Sequence, residues 1–469
     1  MRARIGRENG IRQSRISDCL KNRLAFLPAL LAIVAQLCTG ICNAQCSAPG
    51  GICATPGNDG AGGTLTGVVN AYYPATASAA AGTTRITLGT ANTNGAQTAI
   101  ASGDLLLVIQ MQGSDITSTN NGNYGDGATG SGYTVNANLT AGLYEFVKAA
   151  SAVAVGGGTR NLTIVGGGTG TGLINRYVNS AYNGTHGART FQVVRVPQYT
   201  TATLSSALTA AAWNGTSGGV LAIDVATTLT LGGTVSADGL GFRGGGTQQI
   251  TGSGTVTFAT EYVNTTANLF HGNKGEGIAG TPRYVLDSGS TLDNTAEGYP
   301  NGSRAKGAPG NAGGGGTDAD PSRNDQNTGG GGGGNGGAGG SGGLSWDTQI
   351  VDGGLGGDAF AQASACRIVM GGGGGEGTRN NDDFVALASS GAAGGGIVIM
   401  RTRFVAGTGS ITANGAAAFN NTLNDGGGGG GAGGTIVLSA LSSDWSGLTV
   451  SANGGRGGDG WDTQGPGMN

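Results

Sequence analysis

Residues 333–344 read Gly-Gly-Asn, Gly-Gly-Ala, Gly-Gly-Ser, Gly-Gly-Leu, a strict three-residue repeat. A side chain at every third position fits neither the 3.6-residue period of an α-helix nor the two-residue period of a strand. It matches a polyproline-II type of helix, which has three residues per turn and no internal hydrogen bonds. In that geometry Asn335, Ala338, Ser341 and Leu344 align on one face, and two glycine faces let neighbouring backbones approach and bond laterally. Gly353–Asp358 and Gly454–Asp459 are two-unit versions of the same pattern. Glycine occupies 101 of 469 positions, and it loses the most conformational entropy on folding. Such a chain is either a flexible linker or a lattice held by contacts between segments. Apolar strands interrupt every glycine run, and a linker has no use for them.

Those strands form a repeat of their own. Gly219-Val-Leu-Ala-Ile-Asp-Val leads to Ser-Ala-Asp-Gly239, Gly396-Ile-Val-Ile-Met-Arg-Thr to Thr-Ala-Asn-Gly415, and Gly434-Thr-Ile-Val-Leu-Ser-Ala to Ser-Ala-Asn-Gly454. Each copy is an apolar strand, a variable bend and a second strand closing on Ala-Asp/Asn-Gly. Units of this kind bury their apolar faces by stacking on one another. Upstream, Leu105–Met111, Leu143–Val155, Asn161–Val165 and Thr190–Val196 read as strands between Gly, Asn and Thr turns. Thr200–Ala212 is the single segment with a helical reading. The fold expected is all-β: an N-terminal β-sandwich or β-roll, then polyglycine-II helices interleaved with β-strand repeats. The segments expected are a signal peptide (1–44), a linker with one early strand (45–83), a β domain (84–212), a β repeat and connecting loop region (213–306) and a glycine-rich domain (307–469).

The N-terminus carries seven basic residues between Arg2 and Arg23, the apolar run Leu24–Leu37, and small residues before Gln45. This is a signal-peptide pattern with cleavage after Ala44, and the run is short for a membrane span. Cleavage removes 7 of 24 basic and 2 of 27 acidic residues, which leaves 17 − 25 = −8. No basic cluster survives, so a nucleic-acid surface is not expected, nor is a membrane span after cleavage. Three cysteines remain. Cys46 and Cys53 could close a small loop in an oxidising compartment, and Cys366 reads as a buried thiol beside Ile368-Val-Met370.

Candidate chemistry is sparse. Gly353–Ala361 and Gly454–Asp462 match the nine-residue calcium β-roll pattern, which makes Asp358 and Asp459 weak calcium candidates. A true roll needs tandem copies, so no cofactor is the main expectation. His186 and His271 read as exposed loop histidines, far from any nucleophile signature. Glu276 and Glu297, in a Tyr- and Pro-pinned polar region, are the carboxylates a sugar-cleaving enzyme would use. The plainer reading is a loop that ties the β domain to the glycine domain. Asp318–Thr328 and Arg379–Phe384 read as exposed loops. Trp346 and Trp461 each follow a glycine run, in a shared Trp-Asp-Thr-Gln, and read as caps on a glycine layer.

The glycine triplets and GG-led strands of 307–460 resemble polyglycine-II bundle domains: the glycine-rich region of anaplastic lymphoma kinase-type receptors, springtail antifreeze protein and phage tail-tip adhesins. Across most of the mature chain, Gly103–Gly113, Gly275–Tyr284 and Glu297–Arg304 resemble glycine-rich, adhesin-like surface proteins of Gram-negative bacteria. The resemblance implies a rigid secreted or cell-surface scaffold and assigns no activity. The function expected is therefore structural or adhesive, with an outer surface, a glycan or a neighbouring envelope protein as partner. A secreted carbohydrate-active enzyme using Glu276 and Glu297 is the alternative, and an ice-binding protein a minor one.

Overall fold

The computed structural model describes residues 55–251, 260–345, 352–380, 387–420, 425–441 and 444–460. Among them there is no α-helix; the chain is strands, turns and extended glycine runs, with two short 3-10 turns at Thr169–Thr171 and Asn324–Gln326. No described helix is long and apolar enough to cross a membrane. Two large sheets carry the fold.

The first is antiparallel and six-stranded. Its order is Ala71–Pro74, Thr190–Val196, Leu105–Gln112, Tyr144–Ala149, Arg160–Val165, Arg85–Leu88. The central strand Leu105–Gln112 is buried along its whole length because both faces of the sheet are covered. Leu105, Leu107 and Ile109 face one core; Leu106 and Val108 face another, with Ile86, Leu162 and Val193.

The second sheet is parallel, and the sequence repeats build it. Val220–Leu231 pairs with Ile397–Gly407, with one bulge between Val225 and Thr228, and Ile397–Gly407 pairs in turn with Thr435–Ala440. The second strands of the same repeats, Thr234–Ser236, Gly409–Thr412 and Leu448–Ser451, stack in the same order. Ala202–Thr209 pairs with both Val220–Leu231 and Thr234–Ser236, which joins the two rows at one end, and Thr64–Val68 lies beside it. The three copies are therefore stacked coils, whose interior holds Leu221, Ile223, Val235, Val398, Met400 and Ile411. Val220, Ala222, Ile397 and Ile399 point the other way, onto Leu105, Leu107 and Val194 of the antiparallel sheet. Strict alternation along each strand thus fills one core between the sheets and a second inside the coils.

Two expectations are corrected here. Thr200–Ala212 is not helical: Ala202–Thr209 is a strand, because alternating Ala202, Leu204 and Leu208 are needed inside the coil. Segment 45–83 holds two described strands, Thr64–Val68 and Ala71–Pro74, one in each large sheet.

The glycine runs fill the space beside the coils, with a regular bonding pattern. Along 371–378 the backbone N–H groups point in three directions in turn. Those of 372, 375 and 378 reach the carbonyls of Gly334, Gly331 and Thr328; those of 373 and 376 reach Glu276 and Asn273; those of 371, 374 and 377 reach Gly395, Ala392 and Ser389. Its carbonyls accept from three other segments: Phe242 and Gly245, Gly313 and Gly316, and Gly426, Gly429 and Ala432. One extended run therefore touches six neighbours and leaves almost no backbone group unpaired. Only glycine permits this spacing. A Cβ at Gly372, Gly373, Gly374 or Gly375 would stand 1.8, 1.9, 2.0 or 1.9 Å from a neighbouring carbonyl oxygen.

Candidate functional site

The side chains with chemical potential gather where residues 241–306 pass through the glycine layers, and they are buried. Arg243 follows the buried Phe242 and Glu276 sits in a run bonded to 371–377, so both side chains project between backbones that cannot move apart. The Arg243 guanidinium forks onto Glu276, Nε to Oε2 at 2.8 Å and NH2 to Oε1 at 3.1 Å, and NH1 reaches Asp287 at 2.9 Å. Thr281 donates its hydroxyl to Glu276 Oε1 at 2.6 Å. Burial alone would raise the Glu276 pKa, but the Arg243 charge and these hydrogen bonds outweigh it and hold the carboxyl below its ordinary value. Glu276 is fully buried, with both oxygens engaged. A general acid needs the reverse: a raised pKa and a path to the substrate.

The neighbours follow the same plan. Lys274 Nζ donates to the carbonyls of Tyr262, Ala305 and Gly307 and lies 4.6 Å from the Tyr124 ring centre. Buried with carbonyl dipoles rather than a carboxylate, it is pushed well below the usual lysine range. Arg304 binds the carbonyl of His271 and the Gln248 amide oxygen. Glu376 accepts from the Asn273 backbone N–H at 2.7 Å and from the Gln248 N–H. Burial raises it to about 7, against the opposing charge of Arg304. Glu297 is half-buried and accepts from the Thr266 N–H at 2.9 Å and the Ser303 N–H at 3.2 Å. These charged groups saturate backbone donors and acceptors where the glycine lattice meets irregular chain.

His271 is not an exposed loop residue. It is fully buried, its Nδ1 takes the Asp318 N–H at 3.1 Å, and its Nε2 faces Glu261 at 3.3 Å. Desolvation lowers its pKa, so the ring is neutral at pH 7. His186 is half-buried in a loop, with Nδ1 on the adjacent Gly187 carbonyl. The calcium candidates lie in unlike settings. Asp358 is half-buried and accepts from Ser131 Oγ at 3.0 Å; burial, with a smaller push from Asp126, raises its pKa. Asp459 is exposed and paired with Arg456 at 2.7 Å. Among the described residues no three His, Cys, Asp or Glu side chains converge as a ready ligand set.

Cys366 is not a buried thiol. It is half-exposed and disulfide-bonded, and its partner cysteine lies outside the described residues. Cys46 and Cys53 lie there too, as do Trp346 and Trp461. The expectation of an exposed loop at Asp318–Thr328 is also corrected: Asp318, Asp320, Asp325, Gln326, Asn327 and Thr328 are all buried, because the glycine runs on either side bond into the lattice and draw the loop in. Of Arg379–Phe384, only Arg379 and Asn380 are described, and both are half-buried. Residues 271–276, 304 and 376 form one connected polar centre. Sequence reasoning placed Lys274, Glu276 and Arg304 in one polar region and missed Arg243 and Glu376, because a charged residue beside glycine reads as solvated chain. No protein-family model matches the chain, and no curated protein matches it at a significant level.

Proposed function

We propose that the glycine runs are polyglycine-II helices packed as a six-neighbour bundle, and that the protein is an extracellular structural or adhesive scaffold without catalytic activity. The observation that carries this reading is the three-way rotation of lateral hydrogen bonds along 371–378. A backbone bonded on every side, with carbonyls where side chains would go, is stiff by construction and has no room for a substrate. In this reading the N-terminal antiparallel sheet braces the stacked coils, and the bundle holds its peripheral loops at fixed spacing. Loops on such a frame are the natural recognition elements, and large apolar side chains stand exposed at Val135, Leu344, Phe419 and Leu441. Export through the N-terminal segment places the scaffold outside the cell, against a surface, a glycan or an envelope neighbour.

The carboxylates once suited to sugar cleavage fit the scaffold better, since Glu276 is locked to Arg243 away from solvent. The test has two arms. Protease shaving of intact cells should release the chain, and purified chain on beads should bind polysaccharide or solid surfaces without consuming them. Retention inside the cell, or turnover of any polysaccharide in a broad panel, would overturn the proposal.

A further inference from the structure

The loop 317–328 is the most unusual polar feature of the fold. Its sequence, Thr-Asp-Ala-Asp-Pro-Ser-Arg-Asn-Asp-Gln-Asn-Thr, is one that ordinarily faces water. Here its base is pinched shut: Thr328 Oγ1 donates to the Thr317 carbonyl at 2.6 Å. Inside the pinch the polar side chains turn inward, with Asp318 at 0%, Gln326 at 4% and Asp325 at 9% exposure. Asp425, at 1%, joins from the next glycine run and accepts from Asn327 Nδ2 at 3.0 Å.

Among the oxygens of this loop, Asp318 Oδ2, Asp325 Oδ1 and Gln326 Oε1 are buried without a hydrogen-bond partner. All three are acceptors, and the Gln326 amide oxygen carries no proton under any condition. A buried acceptor left unpaired costs about 1–3 kcal/mol, so three in one loop mark a missing positive group. Against Asp318, Asp320, Asp325 and Asp425, the described neighbouring segments bring Arg323, paired with Asp325, and Arg379, next to Asn380. His271 is neutral and its Nδ1 is taken by the Asp318 N–H. Burial lifts the Asp318 pKa to about 8, with added pushes from Asp320, Asp325 and Asp425.

We propose that the pinched loop 317–328 is a calcium site, in which Asp318 Oδ2, Asp325 Oδ1 and Gln326 Oε1 are the side-chain ligands of one Ca2+. The donors are hard oxygens of mixed kind, carboxylate and amide, without sulfur or free imidazole nitrogen. That set suits Ca2+, which accepts 6–8 oxygens in irregular geometry, better than Mg2+, which demands a near-ideal octahedron. Two carboxylates and one amide leave room for backbone carbonyls and water. The alternating spacing of Asp318, Asp320 and Ser322 serves the loop itself: Asp318 Oδ1 accepts the Asp320 N–H at 2.7 Å, and Asp320 Oδ1 accepts the Ser322 hydroxyl at 2.6 Å. Asp318 thereby holds one oxygen on the chain and leaves the other unpaired. The site is distinct from Asp358 and Asp459.

The experiment titrates CaCl2 into the full chain after EDTA treatment, followed by calorimetry and thermal unfolding. One Ca2+ per chain is expected, with a Kd of about 10−4 to 10−3 M as in extracellular modules, together with a higher unfolding temperature in Ca2+ than in EDTA. Asp318→Asn, which preserves shape, should weaken binding at least about tenfold, the lower end of what losing even an outer-shell partner costs, without lowering stability in EDTA. Gln326→Ala should weaken it without any change of charge, and Asp358→Asn should leave it untouched. Equal unfolding in Ca2+ and EDTA with no binding heat, Asp318→Asn binding like the native chain, or Mg2+ binding as tightly as Ca2+ would each overturn the proposal.

Discussion

Gly339 and Gly340 are adjacent, identical in chemistry and part of the same Gly-Gly-x run, yet the fold treats them differently. A Cβ on Gly339 would lie 2.1 Å from the Gly332 carbonyl oxygen, whereas one on Gly340 meets nothing within 4 Å. Ordinary contact begins at 3.4 Å, so Gly339→Ala must push the runs apart by about 3.4 − 2.1 = 1.3 Å. That movement strains or breaks the Gly332 N–H to Gly340 carbonyl bond and the Gly339 N–H to Gly357 carbonyl bond, both 2.8 Å long. Overpacking costs about 1–3 kcal/mol, and each weakened hydrogen bond adds roughly 1 kcal/mol. Gly339→Ala should therefore destabilise the chain by about 3–5 kcal/mol. Gly340→Ala should be neutral or stabilising by roughly 0.4–1 kcal/mol, because alanine restricts the unfolded chain. Urea unfolding followed by tryptophan fluorescence, to which the buried Trp213 contributes, measures both. Two variants within about 0.5 kcal/mol of each other, the usual spread for surface changes, would refute the reasoning, since a flexible glycine segment treats adjacent positions alike.

Further predictions concern the polar centre. Glu276→Gln leaves Arg243 buried with Asp287 as its remaining carboxylate and should cost about 3–5 kcal/mol, read as a lower urea midpoint. Glu376, ordinarily near 4.5, stands at about 7 in the fold. The folded state thus keeps a proton that the unfolded chain releases, and stability falls as pH rises from 4.5 through 7. The loss should be roughly 2–4 kcal/mol between pH 4.5 and 7.5, at about 1.4 kcal/mol per unit. Arg304, Asn273 and Gln248 face the group. Glu376→Gln should flatten this part of the pH profile, measured as unfolding free energy against pH.

The β repeats were plain in the sequence, because Ile397–Met400 and Thr435–Leu438 carry the same apolar run and pair residue for residue. The three-residue period was plainest at 333–344, with two-unit versions at Gly353–Asp358 and Gly454–Asp459, and the fold explains why. Ala338, Ser341 and Leu344 are exposed there, so one face of the run is free and can carry side chains. At 371–375 and 426–431 every direction is occupied by another backbone, no Cβ fits, and the sequence is almost unbroken glycine. The period disappears where the packing is most complete. Asn335 departs from its outward row: it is buried, and its amide reaches the Gly433 carbonyl at 2.9 Å. The polar centre was less legible. Lys274, Glu276, Arg304 and Glu376 are flanked by small residues that elsewhere signal solvent, and their burial depends on glycine runs distant in sequence. The same cause hid the inward turn of Asp318–Thr328. Thr200–Ala212 misled because its alanines suit a helix locally, while a long-range parallel pairing decides the outcome.

Amide hydrogen exchange over the glycine runs tests the central claim most directly. In a lattice bonded laterally, the amides of 329–334, 371–377, Gly426, Gly429 and Gly431 open only with the global unfolding of the chain. Peptides from these runs should stay protected for hours, on a par with Leu105–Gln112 at the centre of the antiparallel sheet. Complete exchange of 371–377 within seconds, while Leu105–Gln112 stays protected, would contradict the account.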